Sequence, residues 1–401
     1  MKPETIATVR ATAPVLAERG LAIIERFYQR LFEAHPELKN VFNMRHQERG
    51  EQQRALAGAV LAYAQNVDNP GVLQDAVLRI AHKHCSLCVS AEQYPVVGRH
   101  LLAAISEVLG EAATPAVLAA WEEAYGVLAD LFIATESGLY AEAAARPGGW
   151  RGWRDFVVAH RRPESEVVTT FYLAPVDGGP IADYAPGQYI SIAVDVPDIG
   201  LQQIRQYSLS DAPGGTSYRI SVKREAGTEP QTAGYVSNLL HDRLHPGVRV
   251  RITPPFGVFT LDRRATTPVV LVSGGVGLTP LIAMLKTVLR DTERQVVFVH
   301  GARNGRTHAM KAGVRALAET HRRMQSIVFY DAPLPGDAKG FDYDLAGVVD
   351  LARVADRVLL PDADYYLCGP APFMTAQIAT LQTLGVADAR IHHELFGTGE
   401  L

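Results

Sequence analysis

Apolar residues in the first third of the chain recur at helical spacing. Ile23, Phe27 and Leu31 fall on one face, and Leu101, Ile105 and Val108 on another. Pro14, Pro36, Pro70, Pro95 and Pro115 stand where helices are expected to start or stop. The pattern predicts an all-helical segment over residues 1–140. Arg146-Pro147-Gly148-Gly149-Trp150 then breaks it, so 141–151 reads as a linker. Beyond, β-branched and aromatic runs sit between Pro/Gly turns: Phe156–Val158, Val167–Phe171, Tyr189–Ile192 and Tyr218–Val222. These predict an antiparallel β-barrel or sandwich over 152–263. From about residue 265 the runs Val269–Val272, Val296–His300, Ile327–Tyr330 and Tyr365–Cys368 alternate with helical stretches. That is the pattern of an α/β domain with a parallel sheet, expected over 264–401. The expectation is a multidomain chain, all-α, then antiparallel β, then α/β.

Composition adds exclusions. The chain is 47% hydrophobic and 20% charged, which excludes a disordered chain or a fibre. With 39 basic and 43 acidic residues, nothing in the overall charge calls for nucleic acid or an anionic membrane. Three cysteines give no disulfide framework and suit a reducing compartment. Ala265–Leu285 holds 21 uncharged residues in a row, yet Ser273-Gly274-Gly275-Val276-Gly277 and Thr279-Pro280 interrupt it. Such a segment would strand backbone polar groups in lipid. It reads as a buried strand, a Gly-rich turn and a helix from Leu281 to Leu289. No secretory signal opens the chain, so the expected address is cytoplasmic, and a monomer is the default state.

The Gly-rich turn is the first candidate site. Glycines after a strand let backbone approach a pyrophosphate, and the helix that follows favours its charge. The G-x-G-x-x-G spacing is not met, because Gly275-x-Gly277 runs into Pro280. Alone, the turn fits a ligand-free strand–helix connection equally well. Other elements accompany it: Pro186-Gly187-Gln188-Tyr189, Arg205-Gln206-Tyr207-Ser208, Gly234-Tyr235-Val236-Ser237 and Tyr366-Leu367-Cys368-Gly369-Pro370. In this order they resemble the ferredoxin-reductase family of flavoenzymes. The resemblance implies that Arg205 pairs with a flavin phosphate, Tyr207 covers the flavin ring and Ser208 bonds to it, beside Gln206 and Tyr189. Gly234, Val236 and Ser237 would form a second phosphate turn. Gly274, Gly275, Val276, Gly277, Leu278 and Thr279, with Cys368, Gly369 and Pro370, would hold NADH or NADPH. In the closing strand Ile391-His392-His393-Glu394-Leu395-Phe396-Gly397, Glu394 and Phe396 would flank the flavin. Arg303 and Arg306 leave open whether a 2′-phosphate is bound.

Two histidines compete in the helical segment. His84 shares its face with Val77, Ile80, Ala81, Leu87 and Cys88, whereas the face of His82 is mixed. An axial haem ligand needs a neutral imidazole facing an apolar cavity, which favours His84. With Phe42 six residues after Pro36, Gln52 and Leu56 four apart, and Tyr28 beside Phe27, the segment resembles a bacterial globin. Lys83-His84 with Glu92-Gln93-Tyr94 resembles the flavohaemoglobin version, and the three segments together resemble that family over the whole length. The resemblance implies that His84 ligates iron, Phe42 and Leu56 pack on the haem, and Tyr28 and Gln52 shape the distal side. Lys83 would lie near a propionate. Glu136 sits near the face of Tyr125, Leu128, Phe132 and Leu139, and a carboxylate there needs a partner. By resemblance Glu136 and Tyr94 bond to the proximal imidazole. Cys85-Ser86-Leu87-Cys88 lacks a second cysteine pair and follows the histidine, so the haem b is expected to be non-covalent and Cys88 to be packing.

The family chemistry implied is dioxygenation of nitric oxide to nitrate, with oxygen, nitric oxide and NAD(P)H as small-molecule partners and FAD between nicotinamide and haem. Two other classes compete: a haem oxygen-binding or gas-sensing protein, and a flavin or alkyl hydroperoxide reductase with an auxiliary globin.

Overall fold

The computed structural model describes residues 1–227 and 233–396. Contacts divide the chain into two compact units: Met1–Trp153 with Ser191–Arg205, and Arg154–Ile190 with residues 206–396.

Six helices build most of the first unit: α1 (Pro3–Ala34), α2 (Met44–Glu48), α3 (Glu51–Gln65), α4 (Gln74–Ser86), α5 (Gln93–Leu109) and α6 (Pro115–Ala145). Pro115 occupies the first position of α6, where its missing N–H costs nothing, and the Thr114 hydroxyl caps the turn by accepting from Val117 N at 3.3 Å. Pro36 and Pro70 likewise open short 3₁₀ turns. Pro14 corrects the sequence expectation, for it lies inside an unbroken α1 of 32 residues. Burial of Val9 and Leu16 on either side of it anchors the helix, so one lost bond does not end it. α6 also continues past residue 140, to Ala145.

Two apolar clusters form here, with Tyr125 and Leu128 packed against both. One gathers α1, α3, α5 and α6 around Ile23, Ile24, Phe27, Tyr28 and Leu31, with Phe42 and Leu56 only half buried against it. The other joins Ala81, Tyr94, Ala129 and Phe132, with Val77 and Ile80 half buried at its margin.

The antiparallel sheet runs β4-β3-β6-β1-β2-β5. Its strands are β1 (Arg154–Pro163), β2 (Val168–Pro175), β3 (Tyr189–Val196), β4 (Leu201–Ser208), β5 (Tyr218–Lys223) and β6 (Arg249–Ile252). Beyond β4 the chain crosses to β5 through the Leu209–Ile220 bridge and the bond from Ser210 N to Arg219 O, 2.8 Å. The sheet thus curls back towards its far edge, as a barrel requires. Helix α7 (Tyr235–Arg243) follows β5.

A parallel sheet of order β10-β9-β8-β7-β11-β12 follows. It comprises β7 (Val269–Gly274), β8 (Val296–Ala302), β9 (Met324–Tyr330), β10 (Leu345–Ala346), β11 (Asp364–Gly369) and β12 (Ile391–Leu395), with α8 (Leu278–Asp291), α9 (Lys311–Thr320), α10 (Ala355–Val358) and α11 (Ala371–Thr383) between them. Val270, Val272, Val297, Val299 and Leu367 are buried, as strands covered on both faces demand. Ala265–Leu285 is thus a loop end, a buried strand and a helix, and no helix among the described residues is long and apolar enough to cross a membrane. α8 starts at Leu278, three residues before the sequence expectation, because Pro280 fits in a first helical turn.

Candidate functional site

The strongest constellation lies between α4, α5 and α6. His84 Nδ1 is 2.7 Å from Glu136 Oε1 and 3.1 Å from the Tyr94 hydroxyl. The Tyr94 hydroxyl donates to the same carboxylate oxygen at 2.5 Å. Glu136 is 3% exposed, so it is no helix-end surface charge. An ionised carboxylate only accepts, so the proton sits on Nδ1 and the lone pair on Nε2. Nε2 makes no hydrogen bond among the described residues, while the His84 side chain keeps 30% exposure. Burial, then the bond and charge of Glu136, push the Tyr94 phenol far above its usual range, so it stays a donor. Phe132 lies 5.5 Å from the imidazole, centroid to centroid.

Tyr28, 7% exposed, stands in the other apolar cluster. Its ring meets Phe42 edge-on at 5.5 Å and stacks on Phe32 at 5.7 Å. Burial raises its pKa, and a hydrogen bond with the Gln47 side chain partly opposes that. Gln47 Nε2 donates to Gln52 Oε1 at 2.8 Å, so the two expected polar residues, Tyr28 and Gln52, meet through a third. Sequence reading missed Gln47, a polar residue in a five-residue helix with no periodic signal. The structure fits a flat apolar group carrying a cation. Half-buried Phe42, Leu56, Val77 and Ile80 line the margins of the two clusters, and His84 Nε2 offers a lone pair. Lys83 precedes His84, half buried, on α4.

Two expectations about cysteines change. Cys85, not Cys88, is the buried packing thiol, its Sγ 3.7 Å from Glu136 O. Cys88 lies past the end of α4 with φ at 59° and does not share the helix face of His84. Burial, with the Glu136 charge adding to it, pushes the Cys85 thiol up to about 12; burial pushes Cys88 to about 11 and Cys368 well above the usual range.

In the β-barrel, Tyr189, Gln206 and Tyr207 are half buried and Ser208 is buried. Arg205 Nη2 donates to Asn43 Oδ1 at 2.6 Å and Nη1 to Ile204 O at 2.7 Å, both within the first unit. Gly234 caps α7, and a Cβ there would lie 2.7 Å from Ser237 Oγ. Ser237 Oγ accepts from Glu225 N at 3.2 Å, so the turn is tied to the strand end before it. Val236 is 1% exposed, so only its backbone, at a helix N-terminus, is on offer to a phosphate.

In the parallel sheet β8 lies on one side of β7 and β11 on the other, so strand order reverses between β7 and β11. Ligands of open α/β sheets bind at such a point. Both loops named from the sequence emerge there, Gly274–Thr279 after β7 and Cys368–Pro370 at the end of β11. The glycines divide the work. Gly277 packs on the Cys368 carbonyl, and the Phe373 ring covers Gly274 and Gly369. Gly275 has φ at 55° with open space where a Cβ would stand, leaving its backbone open to approach. Leu278, Thr279 and Cys368 have buried side chains, so again only backbone is on offer. Glu394 sits opposite Cys368 on β12, and Phe396 is 44% exposed beyond it. Gly397 lies outside the described residues. Arg303 is exposed, and Arg306 pairs with Glu166 at 3.3 Å on the surface.

Comparison with known proteins completes the picture. Residues 25–132 match the globin family and residues 271–378 the oxidoreductase NAD-binding domain. A flavohemoprotein of Rhizobium meliloti is 58% identical over 97% of this chain and 96% of its own. The crystal structure of a flavohemoglobin from Malassezia yamatoensis, with bound FAD and heme, superposes with a TM-score of 0.86 at 29% identity, covering 99% of this chain and 100% of that one. The FAD/NAD-binding domain of a nitric oxide dioxygenase from Vibrio cholerae matches with a TM-score of 0.55 at 39% identity, over 61% of this chain and 98% of that one.

Proposed function

This chain belongs to the flavohemoprotein family, and from that premise we propose that it is an NAD(P)H-dependent nitric oxide dioxygenase carrying non-covalent haem b and FAD. The observation that carries the reading is the hydrogen-bonded set of His84, Glu136 and Tyr94. When bound, the nicotinamide supplies hydride, FAD parts the electron pair, and the haem activates oxygen.

The chain's own residues do the rest. His84 Nε2 is the group to hold iron, since Nδ1 is committed to Glu136 at 2.7 Å. The buried carboxylate draws the Nδ1 proton towards itself and gives the imidazole anionic character, which makes Nε2 a stronger electron donor. Tyr94 donates to the same carboxylate oxygen and holds it in place against the imidazole. A storage globin gains nothing from such a push, whereas oxygen chemistry does. Phe42 and Leu56 exclude water, Tyr28 and Gln52 supply distal hydrogen-bond donors, and Lys83 offers a cation for a propionate. For FAD we assign Tyr189, Arg205, Gln206, Tyr207 and Ser208, with the amides of Gly234, Val236 and Ser237, and Glu394 and Phe396 as flanking groups. For the dinucleotide we assign the backbone of residues 274–279 and of 368–370.

The test is nitric oxide consumption by purified protein supplied with oxygen and reduced nicotinamide. Nitrate forming in step with nitric oxide loss supports the reading. Nicotinamide oxidation that ignores nitric oxide would instead mark a plain flavin reductase.

A further inference from the structure

Helix α8 starts on the Gly-rich loop, and its buried face meets the segment that follows β6. Phe259 and Leu261 share one apolar cluster with Leu281, Met284 and Leu285 of α8. Gly187 has no room for a Cβ, which would stand 2.7 Å from Met284 Cε. Apolar burial of this kind holds two surfaces together without direction. The directional contacts come from two cations one turn apart on α8, Lys286 and Arg290. Lys286 Nζ donates to Asp211 Oδ1 at 2.7 Å, and Arg290 Nη1 donates to Pro213 O at 2.7 Å. The other Asp211 oxygen, Oδ2, lies 3.3 Å from Nη1 of the buried Arg219 on β5. Asp211 stands three residues after Ser208. Leu209 N donates to Gln188 O at 2.9 Å and Ser210 N to Arg219 O at 2.8 Å, so the residues between are pinned to the barrel. A shift at Asp211 is therefore a shift at the end of β4.

Resting on the function proposed above, we infer that Lys286 and Arg290 are positioning residues for hydride transfer. They fix where α8, and with it the dinucleotide loop at its N-terminus, stands relative to the flavin-bearing end of β4. In that transfer a C–H bond of the reduced nicotinamide breaks. Its hydrogen leaves with both electrons and bonds to the flavin, giving oxidised nicotinamide and reduced flavin. The reacting atoms must be in near contact, and a misplacement of about 1 Å costs about a hundredfold. A helix is a stiff rod, so a slip of α8 along the barrel reaches the loop undiminished. Lys286 prevents the slip through a carboxylate that Arg219 already holds, so its target does not wander. The glycines of the loop admit the dinucleotide; the two cations set how far it stands from the flavin.

The experiment is anaerobic stopped flow of FAD reduction in the full-length holoprotein, at saturating NADH or NADPH, whichever the wild type oxidises faster. The variants are Lys286→Met, Arg290→Met, their pair and Lys286→Arg. Lys286→Met should lower the limiting rate about tenfold, and the pair further, while the nicotinamide dissociation constant moves less than about twofold. The long-wavelength charge-transfer absorbance of the nicotinamide–flavin complex reports ring overlap rather than turnover, and it should fall too. Lys286→Arg should recover most of both. Lys286 and Asp211 are each about one-third exposed, so salt screens the pair. The wild-type limiting rate should therefore drop with ionic strength, and that of Lys286→Met should not. Asp211 is left intact because removing it would leave the Arg219 guanidinium buried and unpaired. A limiting rate and charge-transfer band unchanged in the pair overturn the inference, as does an effect confined to the dissociation constant or the melting temperature. A wild type that holds FAD yet accepts no electrons from either nicotinamide overturns both this and the function it rests on. Flavin reduction that depends on Lys286, with no nitrate formed from nitric oxide, overturns the function alone.

Discussion

Glu136 is held by an imidazole and a phenol rather than by a guanidinium or ammonium group. Its value therefore lies in what it does to His84. Glu136→Gln keeps the shape and removes the charge. Nitric oxide turnover should fall by about 10–100-fold while haem stays bound, as assay and visible spectrum will tell. A second buried set is structural. Ser273 Oγ lies 2.8 Å from His300 Nδ1, the His300 and His308 rings are 4.8 Å apart, and the Tyr330 hydroxyl is 2.9 Å from His308 Nδ1. Burial lowers His300 to about 4; burial and the neighbouring His300 and Lys311 lower His308 to about 2. Both folded values lie below the roughly 6.5 of an unfolded histidine, so the unfolded chain takes up protons first on acidification. Their contribution is full above about pH 6.5 and is lost as pH falls, down to about 4 for His300 and about 2 for His308. Denaturation curves should show stability dropping across that window, and His300→Gln should flatten the drop. The imidazole His84 was legible in the sequence because helical geometry alone separates it from His82. Gln47 was not, since its importance comes from neighbours brought in by α1 and α3.

The Gly274–Gly277 loop shows how an element restricts its residues. The sequence marked four candidate phosphate contacts there, but packing claims two of them: Gly277 against the Cys368 carbonyl, and Gly274, where a Cβ would stand 3.1 Å from the Phe373 ring. Gly277→Ala should therefore cost about 1–3 kcal/mol through overpacking, read as a lower melting temperature of this unit, and should weaken nicotinamide binding with it. Gly275→Ala strains φ without a clash, so its effect on folding should be the smaller of the two. At the same scale, strands β1, β2, β3, β5, β7, β8, β9 and β11 were visible as apolar or alternating runs. β6 was hidden because Arg249 and Arg251 alternate with only two buried residues, and α7 because a nine-residue helix gives little periodic signal amid strands. Pro14 misled for the opposite reason: a strong local rule yielded to packing along α1.

For the whole molecule, the proposal is an electron path whose two ends can be separated by mutation. His84→Ala should abolish haem retention and nitric oxide turnover yet leave NAD(P)H-dependent reduction of ferricyanide near the wild-type rate. Loss of both activities together would argue that the variant is misfolded or that FAD is not where the first electrons go. Pigment analysis should find haem and flavin in about equal amounts if each site fills.

The three raised thiols have a further bearing on such a molecule. Nitric oxide in air generates nitrosating species, and these attack thiolate sulfur far faster than protonated sulfur. Cys85, Cys88 and Cys368 all keep their protons at neutral pH, the first two at about 12 and about 11. Under the proposed function, the chain is thus chemically armoured against its own substrate. It should resist S-nitrosation and react sluggishly with iodoacetamide until it is unfolded.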